Sequence, residues 1–470
     1  MSQDIREETR PPEKLSQNHA FVWFCTARVV SAAGTAMTTV VLPLLIYKIT
    51  RSPGATASLT AIQALPYLTF GLFAGVLADR VDRRKVMVIS NMASALLLGS
   101  VPLAAAFNRV TVVQLYVVAL GVATAFVWFD AANFGAIASL VSRSQLPAAS
   151  GRLWSYASVA WLVGPTLGAT LTTIIAPSDV LGFDAATYVA SALLLAHIRR
   201  PFQRQSRPAG SSSNIISEAI SGLRFLWHQP VVRTMTLSVF GVCISWGGTF
   251  GLVVVYASRA LHLGRFDARL GLLYSAGELG SFIAVLVVPK IAKRPSAGRT
   301  VTAFMIVNAT SLLLLALAPG YNWALPLFLC YQLTYSTILA VGITLRQIMA
   351  PDHMQGRVNA SARLIGYSGQ PLGALASGLL AEFLSIRAVF ALMTVGAAAG
   401  AALAVRACLR SGPLSVISPD PEPGQDHQAL RLPHATLGHQ SHDRRPVARS
   451  HACVHCDWVD LFWFLGLSLG

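Results

Sequence analysis

The feature that most constrains this chain is the recurrence of long apolar windows along most of its length. A helix needs about 20 predominantly apolar residues to cross the hydrocarbon core of a bilayer. Twelve such windows can be marked, six in each half. They cover residues 21–47, 57–78, 86–107, 110–137, 153–176 and 179–198, then 234–257, 268–292, 300–318, 323–348, 361–383 and 387–407. The sequence therefore predicts an all-α membrane protein with twelve transmembrane helices.

The composition excludes a water-soluble protein. Hydrophobic residues make up 54% of the chain, charged residues only 12%, and the mean hydropathy is +0.56. A soluble domain carries about 25% charged residues, roughly twice as many. The net charge of +16 would favour nucleic acid as a partner of a soluble protein. Here the basic residues lie in short segments between apolar windows, so the lipid bilayer is the expected partner and nucleic acid is not.

The distribution of lysine and arginine predicts the orientation. With the N-terminus inside, cytoplasmic segments up to residue 407 carry 23 of these residues and external loops carry 7. Because cytoplasmic loops are enriched in Lys and Arg, we expect both termini in the cytoplasm and the chain in the cytoplasmic membrane. The polar N-terminal segment has no cleavable signal-peptide pattern, so the first window is expected to remain as an anchor.

The expected organisation is two six-helix bundles joined by a basic, serine-rich linker. The linker ends in an amphipathic stretch with Ile216, Ile220, Leu223 and Trp227 at helical spacing, which predicts a helix on the inner membrane surface. The C-terminal tail lacks the spaced ligand pairs of a zinc site and is expected to be disordered. The boundaries are 1–19 (cytoplasmic tail), 20–198 (first bundle), 199–229 (linker), 230–407 (second bundle) and 408–470 (cytoplasmic tail).

The two halves repeat each other at an offset of 205 residues. The fifth window aligns with the eleventh. The loop between the second and third windows (the 2–3 loop) aligns with the loop between the eighth and ninth (the 8–9 loop). The matches in the first pair of windows are Gly151, Arg152, Ala157, Gly164, Leu167, Gly168 and Ala169 with Gly356, Arg357, Ala362, Gly369, Leu372, Gly373 and Ala374. In the loops, Gly75 and Lys85 match Gly280 and Lys290. Parallel repeats around a midplane site are one construction of alternating-access transporters.

The loop after the second window carries a short motif. A glycine is followed four residues later by an acid and then by a basic cluster, and the acid can face the positive N-terminus of a neighbouring helix. The pattern resembles motif A of the major facilitator superfamily, which implies a cytoplasmic gate. The family's second glycine is replaced here by an acid, a departure also seen in its exporter branch. The residues are Gly75, Asp79, Arg80, Asp82, Arg83 and Arg84.

The fifth window contains Gly164, Pro165 and Gly168, which resemble part of motif C of drug:proton antiporters. Small residues allow helices to approach closely, and proline bends a helix. The motif's final glycine is Ala169 here. Ordinary packing between helices is the alternative interpretation.

Stretches at 28–34, 183–186 and 345–359 resemble exporters similar to enterobactin and macrolide efflux proteins. The resemblance covers about residues 18–407 and implies the major facilitator fold. It also implies export of a small organic compound, usually coupled to proton entry. It does not identify the compound.

Charged residues inside apolar windows are functional candidates, because burying one costs about 2.5–3.5 kcal/mol on insertion scales. Glu278 lies near the middle of the eighth window and is a candidate proton-coupling group; the alternative is a structural acid. Arg28 and Asp130 are further candidates that could pair directly. The resemblance suggests instead that Asp130 pairs with Arg83 at the gate, and we favour this arrangement. Asp184 is expected to be structural.

The resemblance also implies that the first, fourth, seventh and tenth helices line a central cavity. Polar and aromatic side chains there suit large amphipathic or cationic organic molecules. For each residue singly, helix packing is the alternative role. The cavity candidates are Thr35, Thr38, Trp246, Thr249, Tyr331, Gln332 and Tyr335.

The sequence thus predicts a secondary transporter whose partners are a small-molecule substrate, protons and the bilayer, acting as a monomer. A non-proton-coupled facilitator or an importer of the same fold is the alternative. The sequence contains no G-x-x-x-x-G-K-[ST] motif, so it offers no nucleotide site for an ATP-driven pump. It contains neither an H-E-x-x-H motif nor paired carboxylates, which an enzyme of this kind would need. A passive channel or a sensor is a further rival, which transport against a gradient would exclude. We expect no catalytic residues, cofactor or metal.

Overall fold

The computed structural model describes residues 15–78, 81–198, 202, 215–264, 267–292, 297–351 and 354–411. Fifteen α-helices and one short 3-10 turn occur in these ranges, and no strand does. The first six helices are α1 (His19–Thr50), α2 (Pro53–Ala78), α3 (Arg83–Ala106), α4 (Val112–Leu140), α5 (Leu146–Leu171) and α6 (Pro177–His197). The others are α7 (Ile215–His228), α8 (Pro230–Gly251), α9 (Val253–Arg259), α10 (Ala268–Ala292), α11 (Ala297–Leu317), α12 (Tyr321–Met349), α13 (Gln355–Tyr367), α14 (Gly369–Phe383) and α15 (Ile386–Ser411).

Each of the twelve apolar windows coincides with one helix or with two consecutive helices. The seventh window is divided into α8 and α9, and the eleventh into α13 and α14. Within the described ranges, nine helices are long and apolar enough to cross a membrane. The helices α2, α5, α7, α9, α13 and α14 are not among the nine. The last two have 13 and 15 residues, so neither is long enough to cross alone.

Short polar residues fix several helix ends. Asn18 caps α1 by accepting a hydrogen bond from the Phe21 backbone N–H, and its amide group donates to the carbonyl oxygen of Leu140 at the end of α4. Asp82 caps α3 in the same way. Arg51 ends α1 in the left-handed conformation, with φ of 56°. These caps satisfy terminal backbone groups that have no partner within their own helix.

Most helix packing lies within the first half or within the second. In the first half, α1 packs on α5 and α6, α3 on α4 and α6, and α2 on α4. In the second, α8 packs on α14 and α15, α11 on α12 and α15, and α10 on α12. The most extensive contacts between the halves are those of α2 with α14 and of α5 with α10, and α2–α8, α1–α9 and α1–α10 make smaller ones. We call the end that carries the turns at 51–52 and 384–385 the outer end, and the opposite end the inner end.

The helix α7 lies between the two halves. In α7, Leu226 is buried, whereas Ile220, Leu223 and Trp227 are between 43% and 58% exposed. The buried side packs on α13, where Gly222 lies against the backbone of Arg357. An apolar face is therefore left uncovered, as a helix on a membrane surface requires. The C-terminal tail after Ser411 lies outside the described residues.

Candidate functional site

A cavity lies inside the first half, between α1, α3, α4, α5 and α6. It encloses about 590 Å³ of empty space, part of which is open to the surroundings. Its wall combines one arginine with hydroxyl, amide and aromatic side chains. These are Arg28, Ser31, Thr35, Ser90, Asn91, Ser94, Phe126, Phe129, Trp154, Trp161 and Tyr188. A mainly apolar wall with a few polar groups is typical of sites for small organic molecules.

Arg28 is the charged group of this cavity. Its guanidinium carbon lies 4.9 Å from the centre of the Phe129 ring, a cation–π arrangement. The buried Asp130, next to Phe129 on α4, lies close enough to interact electrostatically with Arg28. The two sequence candidates Arg28 and Asp130 are therefore neighbours beside the same cavity.

The loop of motif A is described from Val81 onward, so Asp79 and Arg80 lie outside the described residues. Gly75 lies in the last turns of α2. Arg84 donates a hydrogen bond from Nη1 to the carbonyl oxygen of Ile198 at 2.6 Å. Arg83 donates from Nη1 to the carbonyl oxygen of Phe202 at 3.4 Å. The basic residues of the motif thus attach the 2–3 loop to the segment that follows α6.

Arg83 also contacts α4 at a glycine. A Cβ atom on Gly135 would overlap the Arg83 guanidinium group, so the absence of a side chain at this position makes room for the arginine. Gly135 is five residues beyond Asp130 on the same helix. Because Gly135 belongs to no motif, its contact with Arg83 could not be predicted from the sequence.

The motif C-like residues lie where α5 meets two other helices. Cβ atoms on Gly164 and Gly168 would press against Ala36 and Met37 of α1. The opposite side of α5 contacts α10, where a Cβ on Gly271 would press against the backbone at Pro165. The small residues therefore let α5 approach α1 within its own half and α10 in the other half.

The repeated glycines have equivalent surroundings in the second half. Gly369 and Gly373 on α14 lie against the backbone of α8 at Phe240 and Ile244. The helices α1 and α8 contain the first and seventh windows. In each half, therefore, the glycine pair packs against the first membrane helix of that half. The sequence repeat thus corresponds to a repeat in packing.

Contacts between the halves occur at the outer part of α5 and α10. The hydroxyl groups of Thr166 and Ser275 are 2.8 Å apart and share a hydrogen bond. Arg259, at the end of α9, donates to the Tyr47 hydroxyl at 3.1 Å and to the carbonyl oxygen of Arg51 at 3.2 Å. These bonds join the first half to the second near the outer end.

Glu278 lies on α10, three residues inward of Ser275 and on the same side of the helix. It is half-buried, and within the described part of the chain its carboxylate makes no hydrogen bond or ion pair. The neighbouring Gly277 and Gly280 bring α10 against α12, since Cβ atoms there would press on Phe328 and on the backbone of Leu329. A carboxyl group without a partner is thus held next to the contact between the halves.

The second-half cavity candidates are buried against one another. The Trp246 ring stacks on Tyr335 with centroids 5.3 Å apart, and its Nε1 donates to Gln332 at 2.8 Å. The Tyr335 hydroxyl accepts from Gln370 at 2.9 Å. Thr249 and Tyr331 are 0% and 1% exposed. Their role as cavity residues stays a prediction; in this conformation they form packed core.

The first-half cavity candidates line open space. Thr35 lines the cavity of Arg28, and both Thr35 and Thr38 line a second cavity beside it. Thr38 donates a hydrogen bond to Asp184 at 2.5 Å, and the Thr35 and Tyr188 hydroxyl groups are 2.8 Å apart. Sequence reasoning missed Tyr188, although its place one turn after Asp184 on α6 was a usable signal.

Comparison with known proteins identifies the family. Residues 24–374 match the model of the Major Facilitator Superfamily. The chain is 24% identical over 375 residues to the multidrug efflux pump Tap of Mycolicibacterium fortuitum, covering 77% of this chain and 90% of that protein. It is 23% identical over 375 residues to the enterobactin exporter EntS of Salmonella typhimurium, covering 79% and 88%.

A solved structure shows the same fold. A bacterial homologue of the human lysosomal transporter Spinster, in an inward-facing and unoccupied conformation, superposes with a TM-score of 0.66 at 15% identity. The superposition covers 85% of this chain and 98% of the homologue. Residues 24–374, which match the family model, include both repeated segments, the motif A loop and the motif C-like helix. The chain is therefore a multi-pass membrane transporter that belongs to the major facilitator superfamily.

Proposed function

We propose that this transporter exports a small organic compound across the cytoplasmic membrane by alternating access, in exchange for protons that enter. Multidrug efflux by Tap and enterobactin export by EntS support the direction and the substrate class.

The observation that carries the proposal is the repeated packing of the two halves. In each half a glycine pair binds the fifth helix to the first, as Gly164 and Gly168 do on α1 and Gly369 and Gly373 do on α8. Between the halves, α5–α10 and α2–α14 provide the joints. Two internally packed units that meet along such joints can rock against each other, which is how alternating access proceeds in transporters with repeats.

The proposed architecture has twelve membrane-spanning segments, with α8–α9 as the seventh and α13–α14 as the eleventh. Residues 20–198 and 230–407 form the two bundles, 199–229 form the linker, and both termini are cytoplasmic. Lysine and arginine distribution supports this orientation. In this orientation the bonds of Thr166 and Arg259 close the external side. A monomer suffices, because both repeats are in one chain.

In this proposal the substrate binds in the Arg28 cavity and contacts the side chains of its wall. Its aromatic and polar wall suits an amphipathic molecule, and Arg28 with Asp130 supplies charged groups at its edge. Glu278 binds and releases a proton as the halves move, since it lies three residues from the Thr166–Ser275 bond. Loss of that bond in the outward-facing state would change its surroundings.

The test uses inverted membrane vesicles that contain the protein. An inside-acid proton gradient is imposed, and uptake of ethidium, erythromycin and a catecholate siderophore is followed for the wild type and for Glu278→Gln. Asp179→Asn, at an exposed position near the start of α6, is the control for removal of an acid. We expect gradient-driven uptake by the wild type and the control. We expect Glu278→Gln to lose gradient-driven accumulation of substrate but to keep the exchange of substrate across the membrane when no gradient is imposed.

Two results would contradict the proposal. Movement of a substrate with no dependence on the proton gradient would indicate a facilitator. Equal accumulation by the wild type and Glu278→Gln would make Glu278 structural and assign coupling to another acid.

A further inference from the structure

The half that does not contain Glu278 has two buried carboxyl groups, Asp130 and Asp184. Asp184 on α6 is 1% exposed, and it accepts hydrogen bonds from Thr38 at 2.5 Å and from Thr187 at 3.1 Å. Among the described residues, no lysine, arginine or histidine forms an ion pair with it. We propose that Asp184 carries a proton during transport and that the hydroxyl pair of Thr35 and Tyr188 connects it with Arg28 and Asp130. This inference rests on the proposed proton coupling.

The position of Asp184 meets the first requirement of a proton carrier, which is contact with space that water can enter. Asp184 lines a cavity of about 440 Å³ between α1, α2, α4 and α6. Thr38 and Gln63 contribute polar groups to the wall of this cavity. Although most of the wall is apolar, Thr38, Gln63 and Asp184 provide the hydrogen-bonding groups that a water molecule in the cavity needs. A proton can therefore reach the carboxyl group.

The second requirement is a connection to the other side of the membrane. The cavity of Asp184 and the cavity of Arg28 share the residues Thr35, Phe126 and Tyr188. At this boundary, the hydroxyl groups of Thr35 and Tyr188 are 2.8 Å apart, and either can donate. A hydroxyl group can accept a proton on one side and release its own on the other, so this pair can pass a proton between the cavities.

Electrostatic interactions also connect Asp184 with Asp130, through Tyr188 and Arg28. Tyr188 interacts with Asp184 and with Arg28, and Arg28 interacts with Asp130. The order is thus Asp184, Tyr188, Arg28 and Asp130, from the outer part of α6 toward the inner part of α4.

The groups that face Asp184 do not neutralise its charge. On α1 it faces the hydroxyl groups of Thr35 and Thr38, with Arg28 beyond Tyr188; on α2 it faces Gln63. The apolar stretch of α3 from residue 86 to 106 contains no charged residue, and the acid on α4 is Asp130. A carboxylate is costly in an apolar interior without a cation, and binding a proton removes that cost.

Helix α1 also leaves room for the carboxyl group. A Cβ atom on Gly34 would overlap the Asp184 carboxylate and the Thr187 hydroxyl. The carboxyl group therefore lies directly against the α1 backbone. In each cycle Asp184 takes one proton from the external side, and one proton passes through the Thr35–Tyr188 hydroxyl pair to the Asp130 carboxylate and leaves at the inner side, while Arg28 stays protonated. No other reactant is needed.

The experiment compares two transport modes in proteoliposomes, with ethidium as the probe. Gradient-driven accumulation requires proton coupling, whereas ethidium exchange at equal pH does not. The variants are Asp184→Asn and Tyr188→Phe, with Asp179→Asn as the matched control on the same helix. Because the asparagine oxygen can still accept from Thr38, a structural role would be largely preserved. We expect Asp184→Asn to lower accumulation at least about tenfold with exchange within about twofold of the wild type.

Tyr188 also belongs to the wall of the Arg28 cavity. We therefore expect Tyr188→Phe to lower accumulation by a larger factor than it lowers exchange. Wild-type accumulation by Asp184→Asn, or equal loss of both modes, would overturn the inference. If Asp184→Asn does not fold, Thr38→Val replaces it, because it removes one donor to the carboxylate and keeps the side-chain shape. The pH of half-maximal accumulation should then move by about half a unit or more, and an unchanged pH profile would overturn the inference. Failure of the wild type to respond to the gradient would instead contradict the proposed function.

Discussion

Glu382, near the end of α14, accepts a hydrogen bond at 2.6 Å from the hydroxyl group of Ser52, which lies 330 residues earlier in the chain. The Gly54 backbone N–H donates to the same carboxylate oxygen at 3.0 Å. This carboxylate therefore holds α14 of the second half against the start of α2 in the first. With the bonds of Arg259, it fastens the outer end.

The first prediction concerns this contact. Glu382→Ala removes the acceptor for two donors, so the closed outer end should lose stability and the outward-open population should rise. Spin labels at Arg51 and Leu384, both exposed, should report a longer distance component in the variant than in the parent. The control is Asp267→Asn, because Asp267 bonds to its neighbour Arg269 at the same end. Identical distance distributions with and without Glu382 would contradict the prediction.

A second prediction tests the packing of the repeat. Gly373→Ala would push a Cβ atom into the backbone of Ile244, which cannot move as a side-chain tip can. We expect a loss of about 1–3 kcal/mol, the usual cost of overpacking, seen as a lower midpoint of thermal unfolding. Gly151→Ala is the control, because no atom lies within 4 Å of its Cβ position. That control should be neutral or stabilising, since alanine favours helix more than glycine.

The third prediction concerns the polar core of the second half. Gln332→Leu leaves the buried Trp246 Nε1–H without its acceptor, which should cost about 1–3 kcal/mol. Gln332→Glu restores an acceptor at the same position and should recover part of the stability. Thermal unfolding in detergent measures both. A neutral Gln332→Leu variant that changes only the apparent affinity for substrate would indicate a cavity residue instead.

The fourth prediction concerns Gly135, the residue against which Arg83 packs. Gly135→Val should displace the Arg83 side chain from α4 and reduce transport about as much as Arg83→Ala does. If both act through the same contact, the double variant should be no worse than either single variant. Initial rates of ethidium transport provide the measurement. Additive losses would show that Gly135 and Arg83 act separately.

Much of the fold follows from the sequence because apolar length and positive charge are local properties. All twelve windows coincide with helices, and the linker helix α7 lies where amphipathic spacing placed it. The division of the eleventh window at Ser368 was not predicted. The turn there precedes Gly369, which packs against the α8 backbone, a contact between distant segments that hydropathy does not contain.

The candidate site was less accessible from the sequence. Charge inside an apolar window was enough to select Arg28, Asp130 and Glu278. The packed state of Trp246 could not be predicted, because lining a cavity and stacking in a core use the same aromatic residues. Tyr188 gained significance only when α6 was placed against α1, which brings its hydroxyl to Thr35.

The central claim is that the halves separate at the outer end in each transport cycle. The Thr166 and Ser275 hydroxyl oxygens are 2.8 Å apart, so cysteines at both positions should form a disulfide across this contact with small adjustments. Proton-driven ethidium transport by Thr166→Cys/Ser275→Cys should stop on oxidation and return on reduction, while each single variant stays active under both conditions. Full transport by the completely cross-linked protein would contradict alternating access at this contact.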